Sequence, residues 1–416
     1  MKGTCQMPRT IGCCISIILS LTVLSFSILF RPDVTLLGSI EALDIIEAKT
    51  LDVRFHLRGR KRPRDDIVII AVDEKTEDEL GRWQSRGRHW LAEMLDVLRE
   101  GGAKTIGFDF TLAEPDEGSV ADAVAAVTSR YRKLHPEDLS NHPDMLAYLR
   151  DLHTSYNYDG QLADAILRAG NVVLGFYHGF DRTGANHAAP ERHDEGRRML
   201  SRAAYTAIKF PPGSAPQPLY LPHAFSLEPN LATFTEAARS CGHFTIIPEA
   251  DGYIRRVPLL VEYQGEYYPS LSLEVARAFK DKIVLVGFTG TIAQDVHSTP
   301  FQALTYPGVE VHATIIENIL REDFLRRPGW TLFVDSGVIF VLGIVLGIFI
   351  PRQPRFSGAY TALISMAVVV GFTSLAFVIG RIWLNMTFPL LFIILDYLAL
   401  TSYKYVVSVG SCRVRL

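Results

Sequence analysis

The chain has 416 residues, of which 48% are hydrophobic and only 21% charged, with a formal net charge of -3. That length allows two or three domains, the shortage of charge points to membrane segments, and the lack of a basic stripe argues against a nucleic-acid partner. Of the five cysteines (Cys5, Cys13, Cys14, Cys241 and Cys412), only Cys241 lies outside the termini and the first apolar segment. The soluble part is therefore expected to hold no internal disulfide. No CxxC pair offers a metal site, and Cys241 is expected to pack as a small hydrophobe.

Residues 1–10 carry Lys2 and Arg9, and Ile11 to Phe30 follows without a charge. Such a run is long enough to span the hydrocarbon core of a bilayer. No small-residue cleavage site precedes Arg31-Pro32, so a retained transmembrane helix is expected rather than a cleaved signal peptide. From Thr35 to Leu57 the apolar positions Leu36, Leu37, Ile40, Leu43, Ile46 and Ala48 recur on one helical stripe. The basic run Arg58 to Arg64 reads as a solvated loop. Ile67 to Asp73 is β-branched and too apolar for a one-faced strand, as expected of one buried on both faces. A helical pattern follows from Arg88 to Glu100, stopped by Gly101-Gly102, and then a second strand from Lys104 to Phe110. Strand, helix and strand at this spacing form a βαβ unit with parallel strands. Asp73 and Asp109 fall at the carboxyl ends of these strands, the edge where open parallel sheets bind ligands.

The run IVIIAVDEKTEDELGRW, followed by HWLAEMLDVLREGGAKTIGFDFTLAEPD, resembles the opening of the type-two CHASE domain. A second block, KIVLVGFTGTIAQDVHSTPFQALTYPGVEVHATIIENIL, lies in the order that family uses. The resemblance covers roughly Arg31 to Arg327 and implies an extracytoplasmic sensor of the kind carried by bacterial adenylate cyclases and histidine kinases. It also implies that EALDIIEAKTLDVRFHLRG is the entry helix into the sensor. In one respect the chain departs from the family: Phe279-Lys280-Asp281 leads directly into Lys282, where members usually carry several tens of further residues.

Between the two blocks, Val120 to Leu134, Met145 to Leu152 and Gln161 to Ala169 carry helical patterns, and Asn171 to Tyr177 reads as a third buried strand. His178 to Pro222 shows no sustained period and is expected to be a long exposed loop. Cys241 to Ile247 is expected to be a strand, with Ile254 to Tyr263 pairing back on it after an Asp251-Gly252 turn. Leu271 to Phe279 is a short helix capped by Ser270, Ile283 to Gly287 the last buried strand, and Val309 to Leu320 an amphipathic helix. Apolar segments then run over residues 330–350, 357–380 and 382–403, with Trp330 at re-entry. The expected fold class is α/β: an extracytoplasmic, mixed but mainly parallel sheet with flanking helices over residues 31–328, plus four transmembrane helices, one N-terminal and three C-terminal. Lys2, Arg9, Arg352, Arg355 and the 404–416 tail with Lys404, Arg413 and Arg415 all fall on the cytoplasmic side of that topology. The tail is too short for an output domain, so the chain is expected to be truncated, or intrinsically short, relative to family members that continue into a cyclase or kinase.

No phosphate-binding loop, HExxH, GxSxG or paired Cys/His spacing is present, so no catalytic residue, metal or cofactor is expected. Gly287 and Gly290 after the last strand read as a turn. Candidate ligand-binding residues are Asp73, Glu74 and Asp109 at the strand ends, with His178 on the same rim; the alternative for the carboxylates is helix or loop capping. Asp295, a further ligand-binding candidate, fits with Thr299-Pro300 the D...TP pattern of the resemblance and is expected to shape its loop. Asp335 and Asp396 lie in membrane spans, where a carboxylate costs about 2.5–3.5 kcal/mol on insertion scales and so faces a partner, such as Tyr403 or Thr401 for Asp396, or a cavity.

The expectation that follows is a sensor or receptor module of the bacterial inner membrane, multi-pass, with its main domain periplasmic. It resembles the input half of an adenylate cyclase or sensor kinase, without the output. Its partners would be the membrane, an unidentified small-molecule or environmental ligand, and a second copy or a full-length relative. Two other classes stand beside it: a membrane enzyme with a periplasmic metal-carboxylate site, and a four-span transport or assembly component centred on Asp396. The missing nucleophile and ligand constellation weighs against the first, and the scarcity of polar groups in the spans against the second.

Overall fold

The computed structural model describes residues 9–29, 40–81, 83–116, 120–134, 143–179, 196–207, 209, 221–278, 282–289, 295–354 and 357–413. Several sequence expectations lie outside them: the Arg31-Pro32 junction, the entry helix before Ile40, most of the 178–222 loop, the Phe279 to Asp281 connection, Gly290 and the last three residues of the tail. The chain forms two compact units, one of Met1–Lys61 with Phe324–Leu416 and one of Arg62–Asp323.

Two helices open the chain, α1 (Arg9–Leu29) and α2 (Glu41–Arg58). The second unit begins with β1 (Ile67–Val72), α3 (Glu74–Leu80), α4 (Trp83–Glu100) and β2 (Thr105–Phe108). Next come α5 (Val120–Leu134), α6 (Pro143–Tyr156), α7 (Tyr158–Ala169) and β3 (Val172–Gly179). They are followed by β4 (Ser226–Glu228), α8 (Ala232–Ala237), β5 (Ser240–His243), β6 (Leu260–Tyr263), β7 (Glu266–Pro269) and α9 (Leu271–Arg277). The unit closes with β8 (Ile283–Phe288), β9 (Val296–Thr299), β10 (Gln302–Pro307) and α10 (Gly308–Leu320). The chain then returns to the first unit through α11 (Thr331–Phe349), α12 (Ser357–Val378) and α13 (Thr387–Arg413).

In the second unit β1, β8, β2, β3 and β5 pair in that order, all parallel, and β4 adds antiparallel to the far end of β3. Both faces are covered, which explains the continuous apolar runs. Along β8, Val284 and Val286 join the core with Leu91 and Leu95 of α4 and Leu162 and Ile166 of α7. Ile283 and Leu285 point the other way, into a core with Leu271 and Val275 of α9 and Val309 and Ile316 of α10. This period of two, with apolar partners on either side, makes one mixed α/β layer structure from a single type of strand.

Two local expectations are corrected. The Cys241 strand takes a parallel place beside β3, and the partner of β6 is β7, joined by Gln264 and Gly265 at φ 50° and 83°. A two-residue loop with both φ values positive matches the twist of a hairpin. The Asp251-Gly252 turn instead leads Tyr253 against Ser298 of β9. In addition, β8 inserts between β1 and β2, so the two strands of the expected βαβ unit share a sheet without being neighbours.

Among the described residues of the first unit, four helices are long and apolar enough to cross a membrane: Ile11–Leu29, Thr331–Arg352, Ser357–Val378 and Thr387–Val407. Gly343 and Gly347 of α11 let Ser20 and Ser16 of α1 approach closely, since a Cβ at either glycine would lie 3.1 Å or less from the facing serine Cβ. The last span starts at Thr387, later than the apolar run at Ile382, because residues 383–386 are held as a loop by carboxylates from other helices. Its helix continues to Arg413, into the stretch read as a tail.

Candidate functional site

The carboxyl edge of the sheet gathers an unusual set of buried polar side chains. Asp109 follows β2 directly and its N–H donates to the Val286 carbonyl at 2.9 Å. His178 lies in β3 and His243 closes β5, and the parallel β3–β5 pairing brings their rings to 4.7 Å between centroids at 76°. Both histidines are fully buried. Among the described residues, neither ring nitrogen of His243 has a hydrogen-bond partner.

His312 reaches the same edge from α10. Its Nδ1 is 2.7 Å from the Ser272 hydroxyl and its Nε2 3.2 Å from the Phe244 carbonyl. A carbonyl only accepts, so in the neutral ring Nε2 carries the hydrogen and Nδ1 accepts from Ser272. The same Nε2 lies 3.4 Å from Asp109 Oδ1. Asp295 completes the edge, 2.8 Å from His297 Nε2, with its carbonyl accepting from Gly308 N–H at 3.1 Å. A Cβ on Gly308 would fall 2.0 Å from Asp295 Oδ2, so only glycine permits this approach at the start of α10.

Burial dominates the electrostatics. It lowers His178 from 6.5 to about 4 and His312 to about 4, the latter against the pull of the Phe244 carbonyl and Asp295. His243 is depressed well below 6.5 by burial and by the neighbouring His178 and His312. Asp109 is raised well above 3.8 by burial and by Asp295, with His297 pulling the other way. At neutral pH the edge is thus a set of uncharged imidazoles beside a carboxyl that resists ionisation. Among the described residues no group of three or more His, Cys, Asp or Glu is arranged to hold a metal ion.

Of the sequence candidates, Asp109, His178 and Asp295 come to this edge. Asp73 and Glu74 do not: β8 separates them from Asp109 by two strand spacings, roughly 9.5 Å. Asp73 caps α3, its Oδ1 accepting from Thr76 N–H at 2.9 Å and from the Thr76 hydroxyl at 2.8 Å. These bonds hold its carboxyl below the usual range. Glu74 is exposed in the first turn of α3. Cys241, buried in the core, has its thiol pushed up to about 12 by burial, so it packs rather than reacts. His243 and His312 were missed because a single histidine in a short strand or on an amphipathic helix carries no sequence mark of its neighbours.

A second polar cluster, in the first unit, was also missed. Glu47 on α2 is buried, and its Oε2 accepts from Met386 N–H and Thr387 N–H, both at 3.0 Å, and from the Thr387 hydroxyl at 2.8 Å. Its Oε1 accepts from Trp383 Nε1 at 2.9 Å and from Arg54 Nη2 at 2.7 Å. Arg54, fully buried, also donates to the Leu384 carbonyl at 2.9 Å. A carboxylate from one helix therefore caps the N-terminus of another, where unpaired amides and the helix dipole favour negative charge. Asp335 of α11 assists by accepting from Asn385 N–H at 3.2 Å. Asp396 is fully buried in α13, beside Ser16 of α1 rather than Tyr403 or Thr401. The sequence signal for the cluster was a Glu and an Arg seven residues apart on the buried stripe of α2, shared with Ala48 and Leu51.

The model of one family, described as the CHASE2 domain, matches residues 22–280 and 277–350. The two matched pieces overlap at residues 277–280, just after α9. No curated protein and no solved structure matches the chain. With four helices able to cross a membrane and the family model covering most of its length, the chain is a multi-pass membrane protein that belongs to the CHASE2 sensor-domain family.

Proposed function

We propose that the protein is the input module of a bacterial signalling system, held in the inner membrane with residues 62–323 on the periplasmic side. A stimulus that binds one state of the α/β domain better than another shifts its conformation. The shift travels along the chain through α2 and α10 into the membrane helices. The observation that carries this function is the Glu47–Arg54 cluster, which joins the entry helix α2 to the N-terminus of α13. Beyond capping α13, the buried pair fixes α2 and the loop before α13 in one arrangement, a use of buried ion pairs that apolar packing does not supply. A transmitter needs its input helix and output-proximal helix to move as one body. Pairing with a second copy, or with a relative that carries a cyclase or kinase, would let the shift act across two chains.

The test is a chimera of residues 1–413 followed by an adenylate cyclase catalytic domain, expressed in a cyclase-deficient bacterium. Glu47→Gln with Arg54→Met removes the pair without leaving a buried charge alone. Cyclic AMP should change between wild-type and double-variant chimeras inserted to equal levels. Identical output from the two, in neutral, acidic and high-salt media, would overturn the transmitter role.

A further inference from the structure

We propose that the buried edge formed by His178, His243, His312 and Asp109 is a proton-binding site, and that acidification of the extracytoplasmic medium is a stimulus this domain reads. The inference rests on the sensor function above and names its ligand.

The site is closed. His178, His243 and His312 expose at most 1% of their surface, and Asp109 is also buried. A proton needs no cavity, whereas any larger ligand would have to open the sheet edge first. Buried polar groups in folded proteins are normally hydrogen-bonded, so an imidazole with neither nitrogen partnered calls for a reason. His243 is such a group, and it sits in ring contact with a second buried histidine on the neighbouring strand.

The groups facing each member define what a proton would meet. Around His243 they are His178 and His312, with no carboxylate acting on it. Around His312 they are Asp109, Asp295 and His297, together with the Ser272 hydroxyl and Phe244 carbonyl. His178 has His243 against its ring and Thr245 on its backbone. An added proton on His243 creates a second N–H donor where neither ring nitrogen has a hydrogen-bond partner among the described residues. The charge is relieved by separating β3 from β5 and admitting water. His312 carries the change onward, because it lies on α10 and the chain from α10 leads directly to α11. Burial supports the direction, since it holds all three rings neutral until the medium is well below 6.5.

The experiment uses the full chain in lipid nanodiscs with isotopically labelled histidine, titrated by NMR from neutral to acidic pH, with protease cleavage between Leu320 and Thr331 read in parallel. Ring signals are assigned with His178→Gln and His243→Gln. The His178 and His243 signals should titrate below 6.5, in step with a several-fold rise in cleavage, and His178→Phe with His243→Phe should abolish that rise. Should the double variant fail to fold at neutral pH by circular dichroism, each single Gln variant should shift the midpoint of cleavage. Titration of both rings at their ordinary value, or an acid-induced rise unchanged in every variant, would overturn the proposal. If that happens while the chimera still depends on Glu47 and Arg54, only the proton is wrong; if the chimera is indifferent as well, the sensor function fails with it.

Discussion

The Glu47 side chain of α2 accepts two hydrogen bonds from Thr387 of α13, from its backbone N–H at 3.0 Å and its hydroxyl at 2.8 Å, across 340 residues of sequence. The helix that leads toward the sensor and the helix that closes the membrane bundle are thereby joined at one carboxylate. Arg54 supplies the balancing charge and ties α2 to Leu384.

Removing one partner of a buried pair leaves an uncompensated charge. Glu47→Ala should therefore destabilise the membrane unit by about 3–5 kcal/mol, whereas Glu47→Gln with Arg54→Met should cost much less than the sum of the single changes. Denaturant unfolding of the four proteins in a mild detergent gives the cycle. Additive effects would mean that the two side chains act independently.

Asn230 joins the segment after β2 to the middle of β3, its Oδ1 accepting from Leu112 N–H at 2.6 Å and its Nδ2 donating to the Gly175 carbonyl at 2.8 Å. Asn230→Ala should cost about 1–3 kcal/mol by leaving a buried amide and carbonyl unpaired. Equilibrium unfolding of the full chain, followed by near-ultraviolet circular dichroism, reads the loss.

Gly242 has no room for a side chain, because a Cβ there would lie 2.6 Å from the Leu271 amide nitrogen and 2.7 Å from its Cα. Backbone cannot yield as a flexible side chain does, so Gly242→Ala should cost about 1–3 kcal/mol. Gly337→Ala, with nothing within 4 Å, is the control and should be close to neutral. Parallel denaturation curves of the two variants decide it.

The pH dependence of stability follows from burial of the histidines. Their folded values lie below 6.5, so the unfolded chain takes up protons first as the pH falls. Stability of the α/β unit should be full above 6.5 and should decline as pH falls toward about 4, where His178 and His312 also protonate in the folded state. Each proton contributes a slope of roughly 1.4 kcal/mol per pH unit. Asp109 acts the other way, since its raised value favours the folded state as the carboxyl protonates. His243→Gln should flatten the acid limb, measured by urea unfolding at a series of pH values.

The α/β class, the four spans and most elements were legible because their signals are local. β-branched runs bounded by turn residues gave β1, β3 and β8, and helical spacing gave α5 and α10. Ser270 was legible as the α9 cap for the same reason, its hydroxyl accepting from Leu273 N–H. Strand order was not legible: nothing in the residues of β8 says that it enters between β1 and β2, and that insertion is what separates Asp73 from Asp109. The site was half legible. Asp109, His178 and Asp295 stand at strand or loop ends where chemistry is looked for, while His243 and His312 acquire meaning only from the parallel β3–β5 register and the packing of α10. Glu47 and Arg54 look like ordinary surface charges of a helix until the loop before α13 is placed over them.

The joint between α2 and α13 is tested most directly by a distance measurement. Spin labels at Val53 on α2 and Ile394 on α13, both exposed, are placed in the full chain with its native cysteines replaced by serine. One narrow distance distribution is expected in wild type, kept when the medium is acidified, and a broad one in Glu47→Gln with Arg54→Met. The same narrow distribution in both proteins would contradict it, because α2 would then be fixed to the bundle without the carboxylate that joins them.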